Sequence, residues 1–365
     1  MNMNPALLKI QLLCSGLRAE EDIYRGREGG AGVPGCRTII MPDGKPADVP
    51  MRGHFVAKSR LVLKSENNKW FVYKNGEKVF ETSFVPSPNF YDRLTSDGIP
   101  MRKLMLLHGT DCVATTVNRY CYLWRVGRQC RFCSIQLKIT EHNGRSLAVK
   151  TPKQIREVLQ AAVKEGVAKH VTLTTGSQDT PGGGAELYYE ILKEVRKSVS
   201  IAMHAQLPPP DDLKFLELLK DVGLDTVGIH LDLADSAVAS HVAPAKCSED
   251  FGRYLDAWRS SVELFGEGQV NSFLLIGFEQ SLKAFEKIFD TIIPLGVVPY
   301  PIPFIPIPGT PLETHDPPSV DEVVSVFRLW RDRMKAYGLD VSKSKAGCVR
   351  CGSCSAVQEV YSYGV

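Results

Sequence analysis

The chain has 365 residues, with 44 Lys and Arg against 41 Asp and Glu, a net charge of +3. That near-balance excludes the basic footprint of a nucleic-acid binder and the polybasic patch of a membrane-surface protein. A hydrophobic fraction of 44% and a charged fraction of 23% suit a globular protein with a sizeable core, as one large α/β domain with a satellite, or two domains.

Residues 1–50 read as a partly irregular lead. Its first residues, Met1-Asn2-Met3-Asn4-Pro5, lack the basic region, apolar run and cleavage site of a secretory leader. The stretch 27–35, rich in glycine, is a loop by composition. Within 54–85 three alternating runs, 60–64, 70–73 and 78–81, with turns at 66–69 and at Asn75-Gly76, predict a small β-meander.

From about residue 104 strands and helices alternate. Predicted strands are 113–119, 170–175, 199–204, 226–232, 270–276 and 297–304; predicted helices are 152–166, 185–197, 211–222, 250–265, 281–290 and 319–337. Thr151-Pro152-Lys153-Gln154 supplies an N-cap, a proline at the first helical position and a capping-box glutamine, and Ser319-Val320-Asp321-Glu322 a similar start. The stripe Tyr254, Trp258, Phe265 has helical spacing and reads as core. Six β/α units imply a parallel sheet with right-handed crossovers, which an open doubly wound sheet and a partial barrel both satisfy. The longest uncharged apolar stretch, 292–309, carries prolines at 294, 299, 301, 303, 306 and 308. Their missing amide donors exclude a spanning helix, and a cytoplasmic location is expected.

Ten cysteines carry the chemistry. Their share is far below the ~8–10% of a disulfide scaffold, and clustered thiols in a reducing compartment point to metal or redox sites. One cluster is Cys121-x8-Cys130-x2-Cys133, just after the first predicted barrel strand; the other is Cys348-x2-Cys351-x2-Cys354. A structural zinc site closes with four N/S ligands, whereas three thiolates on a [4Fe–4S] cluster leave one iron open.

Cys130-Arg131-Phe132-Cys133, with Cys121 upstream, resembles the cluster motif of the radical S-adenosylmethionine (SAM) superfamily, although that family's usual upstream gap is three residues rather than eight. Later segments follow the family's order. Thr174-Thr175-Gly176-Ser177 stands where the family holds the methionine amino group, here without its acidic residue. Asp232, in Gly228-Ile-His-Leu-Asp-Leu233, and the Ala243-Pro-Ala-Lys246 run resemble the biotin-, lipoyl- and thiazole-synthase branch. Phe273-Leu-Leu-Ile276-Gly277-Phe-Glu279 resembles the segment beside adenine, and 301–312 the branch's sixth-strand segment. His108-Gly109-x-Asp111-Cys112, Thr172-Leu-Thr-Thr-Gly176 and the tail motif are similar to the radical SAM protein of bacterial nitrilase-containing gene clusters.

The resemblance implies a partial (β/α)6 TIM-type barrel over 104–338, an N-terminal β-rich extension over 1–103 and a cysteine-rich tail over 339–365. It implies a [4Fe–4S] cluster on Cys121, Cys130 and Cys133 and a SAM site formed by Phe132, Thr174, Thr175, Gly176, Ser177, Asp232, Lys246, Ile276 and Gly277. Each residue also has a plainer reading: Asp232 as a helix N-cap, Lys246 as a solvated charge, His204 and His230 as packed histidines. The loop holding Trp124, Arg125 and Arg128 is expected to wall the cluster. The implied reaction is reductive cleavage of SAM to a 5′-deoxyadenosyl radical that takes hydrogen from a small-molecule substrate, fed by a one-electron donor such as flavodoxin or ferredoxin. No catalytic side chain is assigned; His204, Tyr300 and Glu279 are pocket candidates.

For the tail, Cys348, Cys351 and Cys354 suggest a second iron–sulfur cluster, with Cys112, Cys36 or Cys14 as spare ligand; a zinc knuckle and a disordered tail are the alternatives. At the level of function, the alternatives are sulfur insertion that consumes the tail cluster, and a non-enzymatic zinc-stapled binding protein in which Cys112 or a histidine joins the first thiol trio.

Overall fold

The computed structural model describes residues 4–19, 31–140, 147–247 and 250–365. Of the loop expected at 27–35, residues 27–30 lie outside the described residues. The lead is more ordered than its composition suggests: it opens on a helix, Pro5–Ser15, whose first amides are capped by Asn4, with proline in the first turn. After β1 (Arg18–Ala19) comes a hairpin of β2 (Cys36–Ile40) and β3 (Pro46–Pro50), which the sequence reading missed. Prolines at both ends of β3 hide it, because they read as punctuation.

The expected meander is β4 (Leu61–Glu66), β5 (Lys69–Lys74) and β6 (Glu77–Thr82). Its two-residue turns, Asn67-Asn68 and Asn75-Gly76, hold left-handed φ at all four positions, the primed-turn geometry that matches strand twist. Leu8 and Leu12 of the first helix, Ile39 and Val49 of the hairpin, and Leu61, Leu63 and Val72 of the meander share one small core.

The main sheet has seven strands: β7 (Leu106–His108), β8 (Cys112–Asn118), β9 (His170–Thr175), β10 (Ala202–Leu207), β11 (Thr226–Ile229), β12 (Val270–Ile276) and β13 (Val297–Pro303). They follow one another in order across a curled half-barrel; β8 to β13 are parallel and β7 returns antiparallel on β8. This is the expected partial barrel. Pro299, Pro301 and Pro303 are tolerated because β13 is an edge strand. The strand predicted at 199–204 starts later, since the Val199 amide still bonds Val195 of the preceding helix. The strand predicted at 226–232 stops at Ile229, and Asp232 rejoins the sheet only through a bridge to Leu274. Tyr254, Trp258 and Phe265 all face the core. Among the described residues no helix is long and apolar enough to cross a membrane.

The tail is a folded plug. Short helices Gly347–Cys351 and Val357–Tyr363 pack against the sheet and against the helices Pro5–Ser15 and Val320–Ala336. Fully buried Lys9 donates to Gly352 O (2.9 Å) and pairs with Glu359 (3.0 Å), itself fully buried. The Asp48 amide of β3 donates to Ser353 O at 2.8 Å. A buried pair that loses one partner leaves a desolvated charge behind. Lys9→Ala is therefore expected to lower stability by about 3–5 kcal/mol, and Lys9→Met with Glu359→Leu to recover most of it, measured by urea denaturation.

Candidate metal centres and the cavity between them

The first thiol trio lies past the C-terminal ends of the strands. Cys121 caps the short helix Tyr122–Arg125, and the end of β9 is pressed against it. A Cβ on Gly176 would stand 2.8 Å from the Cys121 Cβ and 2.6 Å from Tyr120 O, so only glycine fits. Ser177 O accepts the Tyr122 amide, the Thr175 hydroxyl donates to Asn118 O, and the Thr174 hydroxyl donates to that of Thr116. Cys130, Phe132 and Cys133 pack with Leu233, Val242 and Phe278. Burial pushes the Cys130 thiol up to about 12 and that of Cys133 to about 11. Both are protonated at neutral pH and lose their protons only to a metal. The 121–130 loop exposes Arg125, paired with Asp179, while Arg128 donates to Pro244 O.

Asp232 and Lys246 form a buried ion pair beside this trio, and Lys246 also donates to His230 O at 2.9 Å. Burial opposes the Lys246 charge, but Asp232 outweighs it and raises its pKa. This corrects two plain readings: Lys246 is not solvated, and the helix N-cap is Asp235 rather than Asp232. Asp232 takes a left-handed φ of 66°. Ile276 ends β12, and Gly277, Phe278 and Glu279 follow with positive φ. That turn is held by Gln280, which the sequence reading missed. Its amide nitrogen donates to Leu275 O and Gly277 O, and its oxygen accepts from Ala234 and Asp235.

The second group sits at the opposite end of the barrel. Cys112, at the start of β8, contacts Cys351 and lies 3.3 Å from the Thr172 hydroxyl. It is thus separated from Cys121, which removes it as the fourth ligand of a zinc site there. Cys14 lies in the first helix and Cys36 opens β2. His108 stands with its Nδ1 3.4 Å from Cys351 Sγ and its Nε2 3.4 Å from both Cys354 Sγ and Asp48 Oδ2. Gln206 donates to Cys348 Sγ at 3.4 Å. A hydrogen bond from Cys112 and the His108 charge hold Cys351 well below the usual thiol range, against burial, whereas burial pushes Cys348 up. His108 belonged to a quoted motif, but nothing in the spacing placed it among these thiols; Asp48 carried no signal at all.

One cavity of about 270 Å³ joins the two groups. Phe132, Cys133 and Thr174 line one end, and His108, Cys348, Cys351 and Cys354 the other. Arg119, almost fully buried, also lines it, as do 31–34 of the predicted loop. Asp232, Lys246, Ile276 and Gly277 lie outside this lining, and so do the pocket candidates His204, Tyr300 and Glu279. His204 is buried against Thr226, with its Nδ1 2.8 Å from that hydroxyl, and the His230 Nδ1 accepts the Phe273 amide.

A tetrahedral zinc site with bonds of about 2.3 Å needs sulfurs about 3.8 Å apart. Among the described residues, the sole trio of potential ligands within 4.8 Å of one another is Asp48, His108 and Cys354. Cys121, Cys130 and Cys133 are spread more widely, which suits a cluster whose thiolates each take a separate iron. The residues present therefore fit a [4Fe–4S] group at the barrel mouth.

The Radical SAM superfamily profile matches residues 127–292, a span that takes in Cys130 and Cys133 and starts after Cys121. Residues 127–292, a little under half of the chain, thus resemble the radical SAM superfamily. The chain is 26% identical over 247 residues to the bacteriochlorophyllide c C-7(1)-hydroxylase of Chlorobaculum limnaeum, covering 63% of this chain and 61% of that protein. The chain thus spans about three fifths of the length of this curated relative. Among solved structures, methylornithine synthase (PylB) aligns over 63% of this chain and 68% of its own, with 16% identity and a TM-score of 0.47. The hydrogenase maturase HydG from Carboxydothermus hydrogenoformans aligns over 63% and 56%, with 14% identity and a TM-score of 0.45.

Two outcomes follow for the barrel floor. Gly347 has φ 80°, and a Cβ there would stand 2.5 Å from the His204 ring; Gly347→Ala is expected to loosen the tail, read as faster proteolysis of the C-terminal segment. Burial, then the charge of His170, lowers the His204 pKa from 6.5 to about 3. Between those values the unfolded chain binds the proton and the folded one does not, so stability falls as pH drops from 6.5 toward 3. In urea titrations His204→Gln is expected to flatten that slope by an amount on the order of a few kcal/mol.

Proposed function

We propose that the protein cleaves SAM reductively at a [4Fe–4S] cluster held by Cys121, Cys130 and Cys133, and that the reaction is a hydrogen abstraction from a small molecule in the cavity below. When bound, the cluster with SAM supplies one electron to the sulfonium and yields a 5′-deoxyadenosyl radical. The protein's own part is placement and exclusion of water. Thr174, Thr175, Gly176 and Ser177 offer hydroxyls and carbonyls to the methionine ammonium in place of a carboxylate. The Asp232–Lys246 pair sets the charge beside the trio, Ile276 and Gly277 shape the adenine side, and Phe132 covers the cluster beside Cys133.

The observation that carries this reading is the single cavity reaching from Cys133 to the tail thiols. We assign Cys348, Cys351 and Cys354 to a second iron–sulfur cluster. The domain limits 1–103, 104–338 and 339–365 follow the same division of labour. A one-electron donor of the flavodoxin or ferredoxin type, in the cytoplasm, completes the scheme. Because the tail sulfurs line the cavity, sulfur insertion at the expense of the second cluster is a second reading. The match of residues 127–292 to the Radical SAM superfamily supports the SAM-cleaving reading over a non-enzymatic zinc-stapled protein.

The test is anaerobic reconstitution with iron and sulfide, then dithionite and SAM. Wild type is expected to form 5′-deoxyadenosine, Cys130→Ala none, and Cys351→Ala to keep uncoupled cleavage with about half the iron. Cleavage by Cys130→Ala would overturn the ligand assignment. Hydrogen abstraction leaves the tail iron intact after one turnover, whereas sulfur insertion depletes it and labels the product.

A further inference from the structure

We propose that Asp48, His108 and Cys354 form a site for a single zinc ion, bound through Asp48 Oδ2, His108 Nε2 and Cys354 Sγ. The donors come from distant parts of the chain: Asp48 from β3, His108 from β7 and Cys354 from the tail. Their atoms nevertheless converge. His108 Nε2 lies 3.4 Å from Asp48 Oδ2 and 3.4 Å from Cys354 Sγ, and Cys354 Sγ lies 3.9 Å from Asp48 Oδ2. A tetrahedral zinc with bonds of about 2.05 Å to nitrogen, 2.1 Å to oxygen and 2.3 Å to sulfur sets those edges at about 3.4, 3.6 and 3.6 Å. A mixed imidazole, thiolate and carboxylate set is also zinc chemistry. Donors this close serve one ion rather than separate irons, so the inference does not rest on the second cluster. It shares Cys354 with that cluster, and ion and cluster are alternative occupants of the tail.

The other atom of each polar donor is engaged elsewhere. Asp48 Oδ1 accepts from the Thr38 hydroxyl at 3.2 Å. His108 Nδ1 lies 3.4 Å from Cys351 Sγ; a proton kept on Nδ1 toward that sulfur puts the ring's lone pair on Nε2, the tautomer a metal takes. The loop before Cys354 is fixed in the same place. The Asp48 amide donates to Ser353 O at 2.8 Å, and Gly109, with φ 62°, comes so near that a Cβ would stand 2.5 Å from Ser353 Oγ. Asp48 and His108 are both buried, and a carboxylate taken out of water is retained where it is paired or bound to a metal. Among the described residues no fourth His, Cys, Asp or Glu joins the three. The fourth position of the tetrahedron is thus left to water or to a donor atom of a molecule in the cavity, which His108 and Cys354 both line.

The experiment uses the full chain carrying Cys130→Ala and Cys133→Ala, stripped with a chelator and titrated anaerobically with Co2+, then Zn2+. One equivalent of cobalt is expected, with tetrahedral d–d bands and one thiolate-to-cobalt band, all lost when zinc is added. Added to that chain, Cys354→Ser is expected to remove the thiolate band and Cys348→Ser to keep it. Asp48→Asn, close in shape, is expected to weaken cobalt binding about tenfold or more with an unchanged circular dichroism spectrum. Octahedral cobalt would overturn the proposal, and so would a thiolate band that survives in Asp48→Asn at full affinity and vanishes in Cys348→Ser. Zinc-loaded protein given iron and sulfide is expected to form a tail cluster only after the zinc is chelated; a cluster formed with the zinc retained would also overturn the site. Absence of a tail cluster from the zinc-free protein would sink the second-cluster reading alone.

Discussion

The architecture depends on the chain's last segment closing the lower end of a barrel that its own strands leave open. Six parallel strands curl only part of the way round, and the mouth of each β/α unit is shaped by loops, but nothing in the repeating units seals the other end. The tail does so with buried polar contacts as well as apolar ones: Lys9 to Gly352 and Glu359, Asp48 to Ser353, and Ser355 to Pro301. Such contacts stabilise little on net, yet they are specific, because each donor or acceptor is costly to bury without its one partner. The N-terminal helix and hairpin therefore act as the frame on which the plug is seated.

Seating the plug also brings the tail thiols into the wall of the cavity. The cavity has sulfur at both ends and the buried Arg119 on its wall. At the upper end the charges are already balanced by the Asp232–Lys246 pair, and Cys130 and Cys133 are neutral thiols that become anionic on taking metal. At the lower end a histidine and a carboxylate stand among the thiols. The two ends thus offer different donor chemistry to one cavity.

Much of this was legible in the residues. The strand and helix alternation from residue 104 onward needs only local periodicity and capping, and it gave the half-barrel nearly strand for strand. The thiol trio at the mouth was legible because Cys130 and Cys133 are close in sequence and Cys121 follows a strand. What escaped depends on contacts between distant parts of the chain. Nothing local marks Asp48 as the neighbour of Cys354, since a proline-flanked hairpin carries neither motif nor alternation. Lys9 reads as a surface lysine on an apolar helix until Glu359 is placed beside it. Gln280 looks like a loop glutamine, although it ties the ends of β11 and β12 together.

The pairing of Lys9 with Glu359 joins residues 350 positions apart. During synthesis the first helix emerges long before its partner exists, and a buried lysine must wait, hydrated, through the translation of the entire barrel. Closure of the barrel floor therefore waits for Glu359, which is made after every strand of the sheet.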